Sequence, residues 1–333
     1  MKDLDYLKGK TVLVTGGTGS IGKALVKDIM QCEPASIRVL SRDEYKQYCF
    51  RRELDSNVLV RFLLGDIRDI ERLKLAMEGV DYVFNAAALK QVPSCEFNPF
   101  EAVKTNVIGT QNIIESAMEK GVEKVILVST DKVVNPINTM GTTKLLAEKL
   151  MRTANFYKGP RKTIFSCVRF GNVLGTRGSV IPLFLSQLRA GEPMTLTHKD
   201  MTRFVMSLKK AVHLVLKAGE LSTEGETFIL KMPAIRVLDL VETLNTSYAE
   251  QKQLEPVEIK MTGIREGEKL HEDLLFENEV SYCVEESDML KVGYRRLETA
   301  IDRSVYKSEF ANYLNSEQIL DILLELEKEM AEL

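Results

Sequence analysis

No apolar run in this 333-residue chain approaches the roughly 20 residues that a membrane-spanning helix needs, so no membrane segment is expected. The amino terminus, Met1-Lys2-Asp3-Leu4-Asp5, carries acids where a secretory signal needs an apolar stretch, and a cytoplasmic location is expected. Cysteine is sparse. Its five positions, 32, 49, 95, 167 and 283, are scattered, odd in number and without a C-x-x-C pair. A disulfide framework is excluded, and reduced thiols are expected. Three isolated histidines, His198, His213 and His271, give no metal-ligand spacing, so no metal is expected. The net charge of -3 leaves no electrostatic case for nucleic acid or an anionic membrane. Repeats, low-complexity tracts and proline-rich linkers are also missing. What is present is an ordinary globular balance, 44% hydrophobic and 28% charged, in a chain long enough for one large domain or two linked ones.

The first informative stretch is an apolar strand over 11–15 that runs into Gly16-Gly17-Thr18-Gly19-Ser20-Ile21-Gly22 and then an amphipathic helix over about 20–30. Gly16, Gly19 and Gly22 have the spacing G-x-x-G-x-x-G. Glycine permits the tight turn, close backbone approach to a pyrophosphate, and close packing of helix on strand. The helix N-terminus offers unpaired N–H groups to phosphate. A purely structural glycine turn is the plainer alternative, and the placement between strand and helix in the first βα unit argues against it.

A second strand over 37–41 ends in Ser41-Arg42, with Lys46 one turn on. In dinucleotide folds an acid near this point binds a ribose 2′-hydroxyl, whereas arginine suits a 2′-phosphate. Ser41, Arg42 and Lys46 therefore favour NADP, and Asp43 is the counter-argument. A third strand over 58–64 leads to Gly65-Asp66-Ile67, where Asp66 can accept from an adenine amino group. A fourth over 81–84 ends in Asn85-Ala86-Ala87-Ala88, whose small side chains leave room for a flat cofactor. The helix from about Pro99 carries Asn106, for which bonding a neighbouring carbonyl is the plainer role.

The fifth strand, over 124–128, ends in Ser129-Thr130-Asp131-Lys132. The helix that follows carries Met140 and Lys144, four apart and so on one face. An Asp–Lys pair at a strand terminus thus meets a lysine projecting from the next helix. Taken alone, the pair could be a surface ion pair worth about 0–1 kcal/mol. A sixth strand over 163–169 precedes Phe170-Gly171-Asn172, after which the alternation breaks. A helix over 207–218 and a strand over 227–230 read as a return to the first sheet. From about Ile235 the chain reads as mostly helical and charged. The last helix opens at Asn315-Ser316-Glu317-Gln318, a capping box, and carries an apolar stripe at Ile319, Ile322, Leu323 and Leu326.

Seven strands alternating with helices indicate an α/β fold with a doubly wound parallel sheet. The expected division is a dinucleotide-binding domain over 1–172 with a returning segment at about 205–232, and a smaller, mostly helical, discontinuous substrate domain over 173–333. The glycine turn, Arg42, Asp66, Asn85, Asp131, Lys132 and Asn172 all fall at carboxyl ends of strands, where such folds bind ligands.

The Gly16-to-Gly22 turn, Asp66, Asn85-Ala86-Ala87 and the Lys144 helix resemble the extended short-chain dehydrogenase/reductases, Rossmann-fold enzymes. Further blocks are similar to the UDP-N-acetylglucosamine 4,6-dehydratases. These are Ser41-Arg42-Asp43-Glu44, Ala88-Leu89-Lys90-Gln91-Val92-Pro93, Ser129-Thr130-Asp131-Lys132, Arg169-Phe170-Gly171-Asn172-Val173, Arg177-Gly178-Ser179-Val180-Ile181-Pro182 and Met201-Thr202-Arg203-Phe204. The likeness covers about residues 10 to 280. It implies a homo-oligomer that binds NADP and a UDP-sugar and feeds cell-surface glycan biosynthesis. The reaction implied is C4 oxidation, elimination of water across C5 and C6, and return of hydride to C6.

By the same resemblance, Lys132 is the base at C5, Asp131 the acid for the leaving O6, and Lys144 the holder of the nicotinamide ribose. The cofactor set is Gly16, Thr18, Gly19, Ser20, Ile21, Gly22, Ser41, Arg42, Lys46, Asp66, Ile67, Ala86, Ala87, Ala88, Asn106 and Lys144. The substrate set is Lys90, Asn172, Arg203, Arg265 and Glu268, with Arg203 and Arg265 suited to a diphosphate. The family's usual Tyr-x-x-x-Lys reads Met140-Gly141-Thr142-Thr143-Lys144. A thioether has no ionisable proton, so the O4 proton needs another destination: Thr130, Asp131, or a water on Lys144. The missing tyrosine counts against the rival readings of a 4-epimerase or reductase; a non-catalytic NADP-sensing protein is the third reading. For the dehydratase roles the pKa of Lys132 must fall and that of Asp131 must rise, and their proximity opposes both shifts.

Overall fold

The computed structural model describes residues 4–54, 59–176, 179–297 and 301–331. The order of elements begins β1 (Thr11–Thr15), α1 (Ser20–Met30), β2 (Ser36–Ser41), α2 (Glu44–Glu53), β3 (Val60–Leu64), α3 (Ile70–Ala76) and β4 (Tyr82–Asn85). Then come α4 (Val92–Phe97), α5 (Pro99–Ala102), α6 (Gly109–Lys120), β5 (Lys124–Val128), α7 (Thr139–Tyr157) and β6 (Ile164–Arg169). The later part holds β7 (Asn172–Val173), α8 (Val180–Ala190), β8 (Met194–Leu196), β9 (Thr202–Met206), α9 (Leu208–Leu221), β10 (Thr227–Leu230) and β11 (Ala234–Arg236). It ends with α10 (Val237–Thr243), α11 (Ala249–Lys252), β12 (Ile259–Met261), β13 (Cys283–Glu285), β14 (Met289–Val292), α12 (Arg303–Tyr306) and α13 (Ser316–Ala331).

Nine strands form the main sheet in the order β13-β14-β10-β6-β5-β4-β1-β2-β3. The seven strands expected from the sequence are its parallel part, and β10 returns beside β6 with Phe228 opposite Val168. The chain winds outward from β1 through β2 to β3, then crosses to β4 on the other side of β1. This reversal opens a crevice at the carboxyl ends of β1 and β4. Alternation along each strand fills both faces. Val12 and Val14 join one core with Phe84, Ile126 and Phe228, whereas Leu13 joins the other with Val83, Val125 and Phe165.

One expectation needs correction. The sheet does not end at β10, because β14 adds antiparallel to it and β13 to β14. Residues 283–292 thus belong to the sheet and not to the smaller lobe. These strands span only three and four residues, too short to show a period. The smaller lobe, expected to be mostly helical, also contains strands. It carries β11-β9-β7 and β12-β8, packed with α8, α10 and α13 around Phe184, Leu196, Leu240, Tyr248 and Leu323.

The expected helix from Pro99 is α5, a π-helical segment over Val103–Ile108, and α6. Such π segments are frequent at functional sites. At α13 the capping box is closed: Gln318 N–H donates to Asn315 Oδ1 at 2.9 Å, and Asn315 N–H to Gln318 Oε1 at 3.0 Å. The start of the third strand at Val58, and Arg177 and Gly178 of the family-like block, lie outside the described residues. No helix among the described residues is long and apolar enough to cross a membrane.

Candidate active site

The glycine turn is set by close packing. Gly16 has φ +63°, and a Cβ there would sit 2.7–2.8 Å from the backbone of Ala86 and Ala87. At Gly22 a Cβ would come within 2.4 Å of the Gly16 carbonyl oxygen. These contacts bring β1, β4 and α1 together where the sheet's order reverses. No side chain caps α1, whose N-cap is Gly19, so its first N–H groups are directed at the crevice mouth, suited to a pyrophosphate.

Further along the rim, Arg42 is half-exposed and pairs with Asp66 at 3.5 Å. Burial pushes the Asp66 carboxyl up, but Arg68, donating from its backbone and side chain at 2.9 Å, and the Arg42 charge hold it below the ordinary range. Asp43 is committed locally. It accepts from Lys46 N–H at 2.9 Å, capping α2, and its carboxylate pairs with Lys46 Nζ at 2.8 Å.

Together these elements enclose one face of a cleft of about 1090 Å³ between the sheet and the smaller lobe. The expected cofactor and substrate residues line it, with one exception. Asn106 lies behind the lining. Its amide accepts from Leu89 N–H at 2.9 Å and donates to Leu89 O at 3.1 Å and Thr143 Oγ1 at 3.0 Å. It therefore staples the Leu89 loop to α7 and is not a cofactor contact, because its polar atoms are spent on neighbours. The cleft's glycine turn, uncapped helix and alanine floor fit a nicotinamide dinucleotide.

At the end of β5 the chain makes a tight turn, and α7 packs directly on it. Asn138 caps α7 by accepting from Gly141 N–H at 2.7 Å. A Cβ on Gly141 would lie 2.3 Å from the Lys132 carbonyl oxygen, so only glycine permits this approach. Met140 is 3% exposed and sits with Cys95 and Ala102. One turn on, Lys144 donates to the Val128 carbonyl at 2.5 Å, and burial pushes its ammonium down to about 8.

This depression has a testable consequence. Between about 8 and 10.5 the unfolded chain holds a proton on Lys144 that the folded chain has lost. The folding penalty is present in full below about pH 8 and is relieved as pH rises toward 10.5. Relative to Lys144→Met, the parent is expected to gain up to about 3 kcal/mol across that window. Urea unfolding of both proteins at pH 7.5 and 10 measures it, and a pH-independent difference would contradict it.

Asp131 is fully buried. Its Oδ1 accepts from Thr130 Oγ1 at 2.7 Å and from Lys132 Nζ at 3.0 Å. Thr130 and Lys132 line the cleft, and Asp131 stands behind them. Lys132 Nζ also lies 3.5 Å from Asn172 Oδ1 and 3.6 Å from Glu272 Oε1. Burial alone would push its ammonium down, as the dehydratase role requires. The carboxylates of Asp131 and Glu272 outweigh burial, and the pKa stands above the ordinary lysine value. The expected fall is therefore corrected: with Glu272 beside it, Lys132 faces two carboxylates.

Arg203 is a second departure. Its guanidinium donates to the carbonyls of Thr202, Lys269 and Leu270 at 2.7–3.1 Å. It lines the cleft yet ties the 265–272 segment to β9, so most of its donors are not free for a diphosphate. Arg265 is exposed at the cleft rim, with Glu268 close by. Asn138 also reaches across, donating to the Gly267 carbonyl at 2.7 Å. Sequence reasoning missed Glu272 because it lies in the charged run Arg265–Asp273, which reads as a solvated turn. Only the tertiary strapping through Arg203 and Asn138 buries it.

An open parallel sheet with a glycine turn at its reversal, and a buried lysine on the helix after β5 facing a second lobe, defines a dinucleotide-dependent enzyme of the extended short-chain dehydrogenase/reductase class. Within that class the model of the polysaccharide biosynthesis protein family matches residues 12–293, and the chain belongs to this family. It is an enzyme of the nucleotide-sugar dehydratase and epimerase group. It is 54% identical over 325 residues to an uncharacterized membrane protein of Methanocaldococcus jannaschii, covering 97% of each chain. It is 39% identical over 340 residues to a UDP-glucose 4-epimerase of Rickettsia conorii, covering 97% of this chain and 98% of that one. The X-ray structure of Pen from Bacillus thuringiensis superimposes with a TM-score of 0.90 at 41% identity, covering 96% of this chain and 98% of that one.

Proposed function

We propose that the protein is an NADP-dependent 4,6-dehydratase acting on UDP-N-acetylglucosamine. The observation that carries this reading is the Asp131–Lys132 pair at a strand's carboxyl end, with Lys132 lining the cleft, Asp131 directly behind it, and Met140 where a phenol would stand. When bound, the nicotinamide supplies an acceptor for hydride from sugar C4 and its return to C6. The chain's own residues manage the protons. Once C4 is a ketone, the C5 proton is acidic, and Lys132 is the amine positioned to remove it. O6 then leaves as water with a proton that Asp131 supplies through the Thr130 hydroxyl, which lines the cleft. The O4 proton goes to Thr130, whose own hydroxyl proton passes to Asp131 along their 2.7 Å hydrogen bond. Lys144 orients the ribose, and Lys90, Asn172, Arg265 and Glu268 hold the nucleotide sugar.

For the cofactor, Arg42 is the cation for a 2′-phosphate, since Asp43 is engaged as the cap of α2. Arg42→Ala is expected to cut the preference for NADP over NAD by about tenfold or more, the loss of one charge-assisted contact. Titration calorimetry with both dinucleotides checks it, and an unchanged ratio would remove Arg42 from the site. The exposed Phe97, Phe100, Ile108 and Leu146 lie on or beside α4–α7. We assign them the contact surface of the homo-oligomer.

Incubation with UDP-N-acetylglucosamine, followed by mass spectrometry and proton NMR, tests the activity. Loss of one water with a new C6 methyl signal supports it. The name of the Rickettsia relatives favours a second reading, 4-epimerisation, which would give a new sugar with no change of mass. Bound cofactor with unchanged sugar would favour a non-catalytic sensor.

A further inference from the structure

Glu272 is a buried carboxyl that the reading above leaves without a task. The inference rests on that reading. The residue is 2% exposed, and its Oε1 lies 3.6 Å from Lys132 Nζ and 3.9 Å from Arg203 Nε. Its Oε2 has no hydrogen-bond partner among the described residues. The backbone beneath it is firmly held. Glu272 N–H donates to Ser308 Oγ at 2.8 Å, and that hydroxyl shares a 2.8 Å bond with Thr202 Oγ1, which also meets His271 Nδ1 at 2.8 Å. The carboxyl is thus fixed, lines the cleft, and is under-bonded on both oxygens.

The charged groups facing Glu272 are Lys132 and Asp131 from the turn after β5, Arg203 from β9, and Lys269 from its own segment. Asp131 and Glu272 compete for the Lys132 proton, and their bonding differs. Asp131 Oδ1 already takes two short hydrogen bonds, from Thr130 and Lys132, and its Oδ2 has no hydrogen-bond partner among the described residues. Glu272 has only long contacts to its cations, and burial pushes its carboxyl up. Moving a proton from the part-buried Lys132 ammonium to the buried Glu272 carboxylate removes two charges at once, and burial penalises the carboxylate most.

We propose that Glu272 takes the ammonium proton of Lys132 and so frees the amine to act as base at C5. An N–H bond of Lys132 breaks, its electron pair stays on Nζ, and an O–H bond forms on the Glu272 carboxyl. The Nζ pair then takes the C5 proton, and the C5–H electron pair passes into the enolate of the 4-ketone. When the product's C5 is reprotonated by the ammonium, Glu272 returns its proton to the amine. Glu272 therefore acts through Lys132, as a positioning and proton-holding residue.

The test compares the full-length parent, Glu272→Gln and Glu272→Asp, each with UDP-N-acetylglucosamine in D₂O, reading water loss and deuterium at C5 against pH. Glutamine cannot hold the proton. Its water loss and C5 labelling at pH 7 are expected to fall at least 100-fold through kcat with KM unchanged, recovering as hydroxide replaces the missing acceptor. Aspartate is expected to restore at least a tenth of the parent rate. Infrared difference spectra of the parent with substrate against without it should contain a protonated-carboxyl band at pH 7 that Glu272→Gln lacks. A merely electrostatic Glu272 predicts the opposite, because removing a carboxylate lowers the Lys132 pKa. Unchanged or faster C5 labelling in Glu272→Gln, or an aspartate variant as slow as glutamine while binding UDP like the parent, would overturn the proposal. A parent that neither loses water nor labels C5 would instead overturn the dehydratase reading, and this inference with it.

Discussion

Lys132→Met is expected to lower the rate of water loss from UDP-N-acetylglucosamine by about 10³-fold, within the range measured for removal of a general base. Cofactor affinity should change little, since the contacts of Lys132 Nζ are with Asp131, Asn172 and Glu272 and not with the glycine turn or Arg42. The loss has two sources. The amine that would take the C5 proton is gone, and so is the cation between two buried carboxyls. Asp131 at 3.0 Å and Glu272 at 3.6 Å would be left without it. One of them must then take a proton from solvent, which also disturbs the acid needed at O6. Lys132→Arg separates the two sources, because arginine keeps the charge but does not deprotonate. It is expected to be as slow as the methionine variant while losing less stability. Single-turnover mass spectrometry on both variants measures the rates. Retention of more than a tenth of the parent rate in either would place the C5 base elsewhere.

Much of the frame is legible before any coordinates are seen, for a physical reason. Strands buried on both faces need continuous apolar runs. Such runs give the bounds of β5 and β10, Lys124–Val128 and Thr227–Leu230, without error. The glycine turn is equally legible, because nothing with a Cβ fits at Gly16 or Gly22. What local pattern does not encode is what a charge touches. Arg203 reads as a phosphate ligand and instead ties a loop to β9. Asn106 reads as either a cofactor contact or a local bond, and the local bond prevails. Glu272 sits in a run of six charged residues out of nine from Arg265 to Asp273 and is nonetheless buried, an outcome decided by long-range contacts with Arg203 and Ser308. The hairpin β13–β14 escapes for a related reason, being too short for a period and recruited only by the free edge of β10.

Arg169→Met is expected to destabilise the protein by about 3–5 kcal/mol, the usual result of removing one partner from a buried ionic cluster. Arg169 closes β6 and is 2% exposed. Its guanidinium donates to both oxygens of Glu148 at 2.7–3.0 Å and to both oxygens of Glu279 at 2.6 and 2.9 Å. Without it the two carboxylates lose their shared cation, leaving Arg152 at 3.6 Å from Glu279 and the Lys144 charge acting on Glu148. Arg169→Lys should recover little, since one ammonium cannot engage two carboxylates in pairs. Adding Glu148→Gln to Arg169→Met should recover part of the loss by removing one orphaned charge. The effect reaches the site through α7. Glu148 lies one turn beyond Lys144 and raises that lysine's pKa against the larger effect of burial. Stripped of Arg169, Glu148 pulls harder, and Lys144 should titrate above its present value of about 8. Urea unfolding of the three variants gives the stabilities, and cofactor binding against pH gives the lysine's titration. A loss below 1 kcal/mol in Arg169→Met, or a Lys144 titration that stays at its parent value, would show that the cluster neither holds β6 to α7 nor sets the charge at the nicotinamide end of the cleft.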